Sequence, residues 1–570
     1  MFRSDKSKKK NKSQDSKGFK YLGGLLLSKM AAGGAALLRR NADKVNDLNV
    51  FPVPDGDTGD NMRMTIESGI AALETLESDD IAEVMKVLSH GMLLGARGNS
   101  GVILSQFFAG TSKGLDGVEK ADPEALGKAL QKGVEQAYGS VVTPTEGTIL
   151  TVAREAVEFA NKRITPDSTI RSYFADLAKE MHDSLERTPE LLSTLKEAGV
   201  VDSGGAGLFY IIDGFNRVLN GEVIEREASV GEKKTASVLS TSFNADSEMT
   251  YGYCTEALLQ LQNKKCNPDT FDVDGLKVFL SSVGDSVVAF KTESIVKLHV
   301  HTLTPEKVLE HCRHYGEFLT VKIENMSVQH TDLEKGEKQA EPEAAPKPRE
   351  KKKYGIVAVC NGDGVENLYR ELGADEVIYG GQTHNPSTNE FLDAFGRIYA
   401  EHIFVFPNNG NVLMAAQQSA ELYKDAKIHV LASKNVGMGY VALSTADLSC
   451  DDVDMILGGM KEAMQSIISG YISPSIRDAD LNGVHIKNGD TIGIIEKQVV
   501  VSSKNRGEAA RVLAGTMLEG RFMLTVFCGK DATDADNEEL TRFLSEVRPD
   551  AEVYFIPGGQ DIYPYIFIAE

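Results

Sequence analysis

Seven successive segments between residues 60 and 219 repeat apolar side chains at the spacing of an α-helix, with strand-like alternation almost absent. They run over 60–76, 80–94, 100–111, 123–138, 148–163, 170–185 and 205–219. Stripes of this kind must bury against one another, so a first domain of about 19–225 is expected to be all-α. An earlier apolar stretch, 21–38, is interrupted by two Gly pairs and by Lys29, and falls short of the roughly 20 residues a membrane span requires. It follows a basic start and reads as an amphipathic helix behind a disordered tail at 1–18, in preference to a signal peptide.

A chain of 570 residues is too long for one core. Two composition breaks divide it. The first, 227–247, is rich in Ser, Thr, Lys and Ala. The second, 331–353, mixes charge, Pro and Ala with almost no large apolar group, so the linker is placed at 329–353. The middle domain, 245–328, mixes expected strands at 249–254, 286–291 and 295–301 with helices at 273–283 and 305–315, an α+β pattern. From 354 to 570 short apolar strands (354–360, 403–407, 428–432) alternate with helices, which predicts an α/β domain with a second lobe from about 441.

The net charge of −22 excludes a nucleic-acid binder. Residues 1–20 carry eight Lys/Arg against two Asp, a local +6 that leaves −28 elsewhere and reads as a solvated tail more readily than as a lipid-binding one. Six cysteines lack a pairing rhythm, as expected of a reducing cytoplasm.

The densest chemical signal is the segment from Asn49 to Met62, which contains Asp55-Gly-Asp57-Thr-Gly-Asp-Asn61. Asp55 and Asp57 flank a glycine at the mouth of a helix, where hard carboxylate oxygens suit Mg²⁺. A bare Asp-Gly-Asp is also an ordinary turn and helix N-cap. A second glycine-rich loop, from Gly95 to Gly101, runs into another helix and offers free N–H groups and a positive dipole end to phosphate. It lacks the Gly-Lys-Ser/Thr ending of a Walker A loop. Glu146-Gly-Thr148 and Asp202-Ser-Gly204-Gly-Ala-Gly open two more helices. Several such mouths in one helical domain favour a nucleotide site over unrelated turns.

This set resembles the nucleotide-binding domain of dihydroxyacetone kinases over roughly 20–220. The stretches Leu48-Asn-Val-Phe-Pro-Val-Pro-Asp55 and Gly95-Ala-Arg-Gly-Asn-Ser-Gly-Val-Ile-Leu-Ser-Gln106 go further. With 379–388, 406–411 and 557–560, they resemble the ATP-binding subunits of bacterial fatty acid kinases over nearly the whole length. The resemblance implies a barrel of eight helices holding ATP and two Mg²⁺. The metals would sit on Asp55, Asp57 and Asn49, with Arg97 beside the transferring group. Thr58, Gly59, Asn61, Met62, Gly98, Asn99, Ser100, Gly101, Thr148, Asp202 and Gly204 would complete the nucleotide site. Asn49 stands where the dihydroxyacetone kinase pattern has a third Asp. It coordinates without adding charge, which weakens the second metal site before ATP arrives.

The implied reaction is phosphorylation of a fatty acid carboxylate presented by a separate DegV-type carrier, feeding phospholipid synthesis; whether the chain forms a homodimer stays open. The ATP site would lie wholly before residue 220 and carrier recognition largely in 354–570, so a 1–330 fragment is expected to bind Mg-ATP about as well as the whole chain. In the middle domain, His299 and His301 share one strand face and Cys254 ends another strand. Cys plus two His can bind zinc, though the spacing alone reads more readily as two strand histidines beside a buried cysteine; the resemblance raises zinc to an equal standing. His384 and Asn408-Asn409 fall at expected strand ends, where α/β sheets bind ligands or simply turn. Two other functions stay open: a dihydroxyacetone-type kinase and a non-catalytic ATP-sensing scaffold.

Overall fold

A computed structural model describes residues 19–49, 56–222, 224, 253–292, 294–325, 351–382, 384–481 and 483–570. The chain divides into two compact units: one joins Met1–Arg226 to Arg349–Glu570, and the other is Glu227–Pro348.

The N-terminal part of the first unit is helical throughout its described residues. Its helices are α1 (Gly24–Asp47), α2 (Thr58–Ala72), α3 (Ile81–Leu94), α4 (Gly98–Gly114), α5 (Pro123–Gly139), α6 (Ile149–Lys162), α7 (Ile170–Leu191), the short α8 (Ser193–Ala198) and α9 (Ser203–Leu219). Their starts carry the signals that sequence offered. Asp80 accepts from the Ala82 and Glu83 amides, Asp122 caps a helix with Pro123 at its first position, and Thr169 forms a reciprocal box with Ser172. One apolar core runs through all the long helices. The glycine pair that breaks the stretch 21–38 has a packing cause: a Cβ on Gly214 of α9 would stand 2.6 Å from the Gly34 Cα of α1. No helix among the described residues is long and apolar enough to cross a membrane.

The C-terminal part holds two sheets. β5 (Lys352–Cys360), β6 (Glu376–Tyr379), β7 (Ala400–Phe406) and β8 (Lys427–Val430) form a parallel sheet in the order β6-β5-β7-β8. Around it run α12 (Asp363–Glu371), α13 (Thr388–Arg397), α14 (Leu413–Leu422), α15 (Val436–Ser444) and α16 (Val453–Ser466). The expected second lobe is a six-stranded mixed sheet, β13-β12-β9-β16-β14-β15. It consists of β9 (Ile468–Pro474), β12 (Thr491–Ile495), β13 (Gln498–Ser503), β14 (Met523–Cys528), β15 (Glu552–Pro557) and β16 (Tyr565–Ala569), joined by α17 (Arg506–Met517) and α18 (Asp534–Val547). A small hairpin, β10 (Ala479–Leu481) with β11 (Val484–Ile486), forms its own ladder and buries Ile486 against Ile492, Ile494 and Val499.

The helical part and the parallel sheet share a core. Ala96 and Val102, at the start of α4, are buried with Val357, Ile378, Phe391 and Val412. The junction is therefore made by apolar burial, with hydrogen bonds added: Gln418 Nε2 donates to Leu93 O at 2.7 Å, and Gln106 Nε2 donates to Gln418 Oε1 at 2.8 Å.

The second unit is α+β. β1 (Tyr253–Leu261), β2 (Gly284–Thr292), β3 (Ile295–Thr302) and β4 (Gly316–Asn325) form an antiparallel sheet in the order β2-β3-β1-β4, with α10 (Val273–Val283) and α11 (Pro305–Arg313). The register sets Cys254 opposite His301 and Glu256 opposite His299. Of the side chains of Cys254, His299 and His301 nothing is described.

Candidate functional site

Four helices, α2, α4, α6 and α9, begin on one cavity of about 350 Å³. Its lining takes Asn49, Asp57, Thr58 and Asn61 from the entry to α2, and Asn99, Ser100 and Ile103 from α4. Thr148 and Leu150 come from α6 and the turn before it, and Asp202, Ser203 and Gly204 from α9. A helix N-terminus carries more N–H groups than its cap satisfies and the positive end of its dipole, so their convergence makes a site for a polyanion. A larger cleft of about 980 Å³ between α4, α5 and α14 has none of these mouths, and the smaller cavity is the candidate site.

The entry to α2 settles what Asp57 does. Asp57 occupies the N-cap position but makes no side-chain cap bond. Asn46 does that work from α1: its Oδ1 accepts from the Gly59 amide at 2.7 Å and its Nδ2 donates to Asp60 at 2.9 Å. The Asp57 carboxylate instead accepts from Asn385 Nδ2, a residue of the loop between β6 and α13. Asn385 Nδ2 also lies 3.4 Å from Asn61 Oδ1. Asp55 belongs to 50–55, outside the described residues.

At α4, Gly98 has φ of 58°, a left-handed conformation, and a Cβ there would stand 2.5 Å from the Asn61 side chain. The glycine brings the α4 mouth against α2. At α6, Thr148 caps the helix by accepting from the Leu150 amide at 3.4 Å. Glu146 faces the first turns of α6 instead: it accepts from Thr151 Oγ1 and Arg154 Nη2, each at 2.7 Å. At α9, Asp202 caps the helix through the Gly205 amide at 2.7 Å. Burial raises its carboxyl pKa to about 6, against the opposing effect of hydrogen bonds from the Gly205, Ile149 and Gly204 amides.

Several residues named from sequence lie elsewhere. Met62 is fully buried in the helical core, and Gly59 packs its α-carbon against the Ala42 carbonyl, so both shape α2 and do not line the cavity. Gly98 and Gly101 are buried where α4 meets α2. Arg97 is also outside the lining: its Nη1 donates to Asn385 O at 2.7 Å and pairs with Glu390 at 2.9 Å. The expectation that the site lies wholly before residue 220 is corrected as well, since Asn411 lines the cavity and Asn385 touches Asp57. Asn408 and Asn409 brace the sheet ends: Asn408 Nδ2 donates to Val359 O at 3.0 Å and Asn409 Nδ2 to Gly381 O at 3.0 Å.

Three family models match in succession: a DAK2 domain over 52–217, the FakA-like fatty acid kinase middle domain over 250–333, and the FakA-like C-terminal domain over 355–570. Protein YloV of Bacillus subtilis (strain 168) is 39% identical over 560 residues, covering 96% of this chain and 99% of that protein. The chain belongs to the FakA-like fatty acid kinase family. An uncharacterized protein of Staphylococcus aureus (strain bovine RF122 / ET3-1), SAB1090, is 37% identical over 554 residues, with 96% and 99% coverage. Among solved structures, the dihydroxyacetone kinase from C. freundii in complex with AMP-PNP and Mg²⁺ shows a slight likeness, with a TM-score of 0.28 and 18% identity over 38% of this chain and 37% of that one. Family membership rests on the sequence matches, and the domains matched are kinase-family domains.

Proposed function

We propose that this chain is the ATP-dependent subunit of a fatty acid kinase, transferring the γ-phosphoryl group of Mg-ATP to the carboxylate of a fatty acid held by a separate DegV-type carrier. The convergence of four helix N-termini on one cavity, in a member of this family, carries the reading. The family is one of kinase subunits, which supports a second chain.

The donor set fits Mg²⁺. Asp57, Asn49, Asn61 and Asn99 line the cavity with hard oxygen atoms, and Asn99 Oδ1 is buried without a hydrogen-bond partner. Asp57 and Asp55 would hold the metal, with Asn49 and Asn61 beside them, and bound Mg²⁺ would neutralise charge on the phosphates. The amides at the start of α4 and the Ser100 hydroxyl orient the phosphate oxygens. A fatty acid carboxylate is already ionised at neutral pH, so attack on the γ-phosphorus needs no general base. The new carboxylate-oxygen to phosphorus bond forms as the bridging bond to the β-phosphate breaks, giving acyl phosphate and ADP. In the second unit, we assign zinc to Cys254, His299 and His301, supported by the register pairing of Cys254 with His301.

ADP release by the purified chain, with and without a fatty-acid-loaded carrier, tests the reading. Release that requires the loaded carrier supports it. Release with dihydroxyacetone and no carrier would replace it with a small-molecule kinase, and nucleotide binding without release would leave a sensing scaffold.

A further inference from the structure

We infer that Asn385, supplied by the C-terminal part, is a positioning residue for the metal-binding carboxylate of Asp57, so that the kinase site is completed across the junction of the first unit. The inference rests on the Mg-nucleotide reading of the cavity. Asp57 is not oriented by its own helix, because Asn46 has taken over the capping of α2. Asn385 Nδ2 donates directly to the Asp57 carboxylate. A carboxylate that must bind a cation needs a donor that orients it without neutralising it. Asn is neutral, whereas a Lys or Arg in that place would compete with the metal. The cation of the adjoining loop, Arg97, is paired with Glu390.

The loop that carries Asn385 is held from both sides. Arg97 Nη1 binds its carbonyl at 2.7 Å, and two residues on, Ser387 caps α13 in a reciprocal box with Glu390. Asn385 is 2% exposed, and its Oδ1 is buried without a hydrogen-bond partner. Folding alone does not account for an amide kept in place with its acceptor unused, because an apolar side chain of the same size would avoid that desolvation. A polar side chain buried beside a metal carboxylate does account for it.

The test is Mn²⁺ binding to the full-length chain with AMP-PNP, followed by electron paramagnetic resonance, together with the Mg²⁺ dependence of ADP release. Asn385→Leu keeps the branched shape and removes the donor. It should weaken Mn²⁺ binding by about tenfold or more, and excess Mg²⁺ should restore much of the lost kcat. Gln418→Leu, which removes hydrogen bonds of the same junction away from Asp57, should leave Mn²⁺ affinity within about twofold of the wild type. If Asn385→Leu does not fold, Asn385→Ser is expected to show the same loss. Wild-type affinity in the folded Asn385 variant, or an equal loss in Gln418→Leu, overturns the positioning role while leaving the kinase reading intact. A wild-type chain that binds no Mn-AMP-PNP overturns the kinase reading itself.

Discussion

Arg97, in the glycine-rich loop before α4, pairs at 2.9 Å with Glu390 in the first turn of α13. The contact ties the mouth of a phosphate-binding helix to the C-terminal part. Burial alone would raise the Glu390 pKa, but the His384 ring 3.7 Å away, hydrogen bonds from the Ser387 amide and hydroxyl, and the Arg97 charge hold it down at about 2. A depressed carboxylate stabilises the fold above its ordinary pKa of about 4.3 and loses that contribution as pH falls towards about 2. Glu390→Gln should therefore lower stability by about 1–2 kcal/mol at neutral pH. The difference in Tm between variant and wild type should close as pH falls from about 4.5 towards 2. A constant difference across that window would show that Glu390 titrates normally.

Asp57→Ala should abolish turnover, lowering kcat by at least about a hundredfold, with helical circular dichroism unchanged, because the carboxylate is not the cap of α2. Asp55→Ala is expected to do the same. Activity near wild type in both would remove the metal assignment.

Asn46→Ala should cost about 1 kcal/mol of stability by leaving the Gly59 amide and the α2 mouth uncapped. It should also weaken nucleotide binding, since Thr58 and Asn61 then lose their fixed setting. Chemical denaturation and calorimetric titration with AMP-PNP measure the two effects separately.

The purified chain should carry about one zinc per molecule, lost when His299 and His301 are both replaced by Ala. Metal analysis of both proteins decides it. A metal-free wild type that is folded and active removes zinc from the second unit.

Sequence carried much of this. Helical periodicity located the long helices of the first domain, and the glycine-rich mouths pointed to a cavity that Asp57, Asn61, Asn99, Ser100, Thr148 and Asp202 do line. Met62 sat inside the motif, yet its helical phase places it with Ile66 and Ile70 in the core, a signal the spacing already held. β1 was expected to end at 254 but continues to Leu261 through Glu-Ala-Leu-Leu-Gln-Leu, residues that favour a helix. Its strand state is imposed by pairing with β3 and β4. Asn385 and Asn411 lie in the stretches 379–388 and 406–411 that carried the resemblance, but no spacing joined them to Asp57, because their place depends on where the chain returns after the linker. Their contacts reverse the expectation for the 1–330 fragment, which should now bind Mg-nucleotide more weakly than the full chain.

The four helix mouths also set how nucleotide arrives. They offer backbone N–H groups at contact distance in a cavity that also carries Asp57 and Asp202, within a chain of net charge −22, so a long-range field that repels anions surrounds short-range donors that hold them. Salt screens the first over about 10 Å at 0.1 M and leaves the second, at contact distance, far less affected. Association of the anionic nucleotide should therefore speed up as ionic strength rises, the opposite of an electrostatically steered encounter.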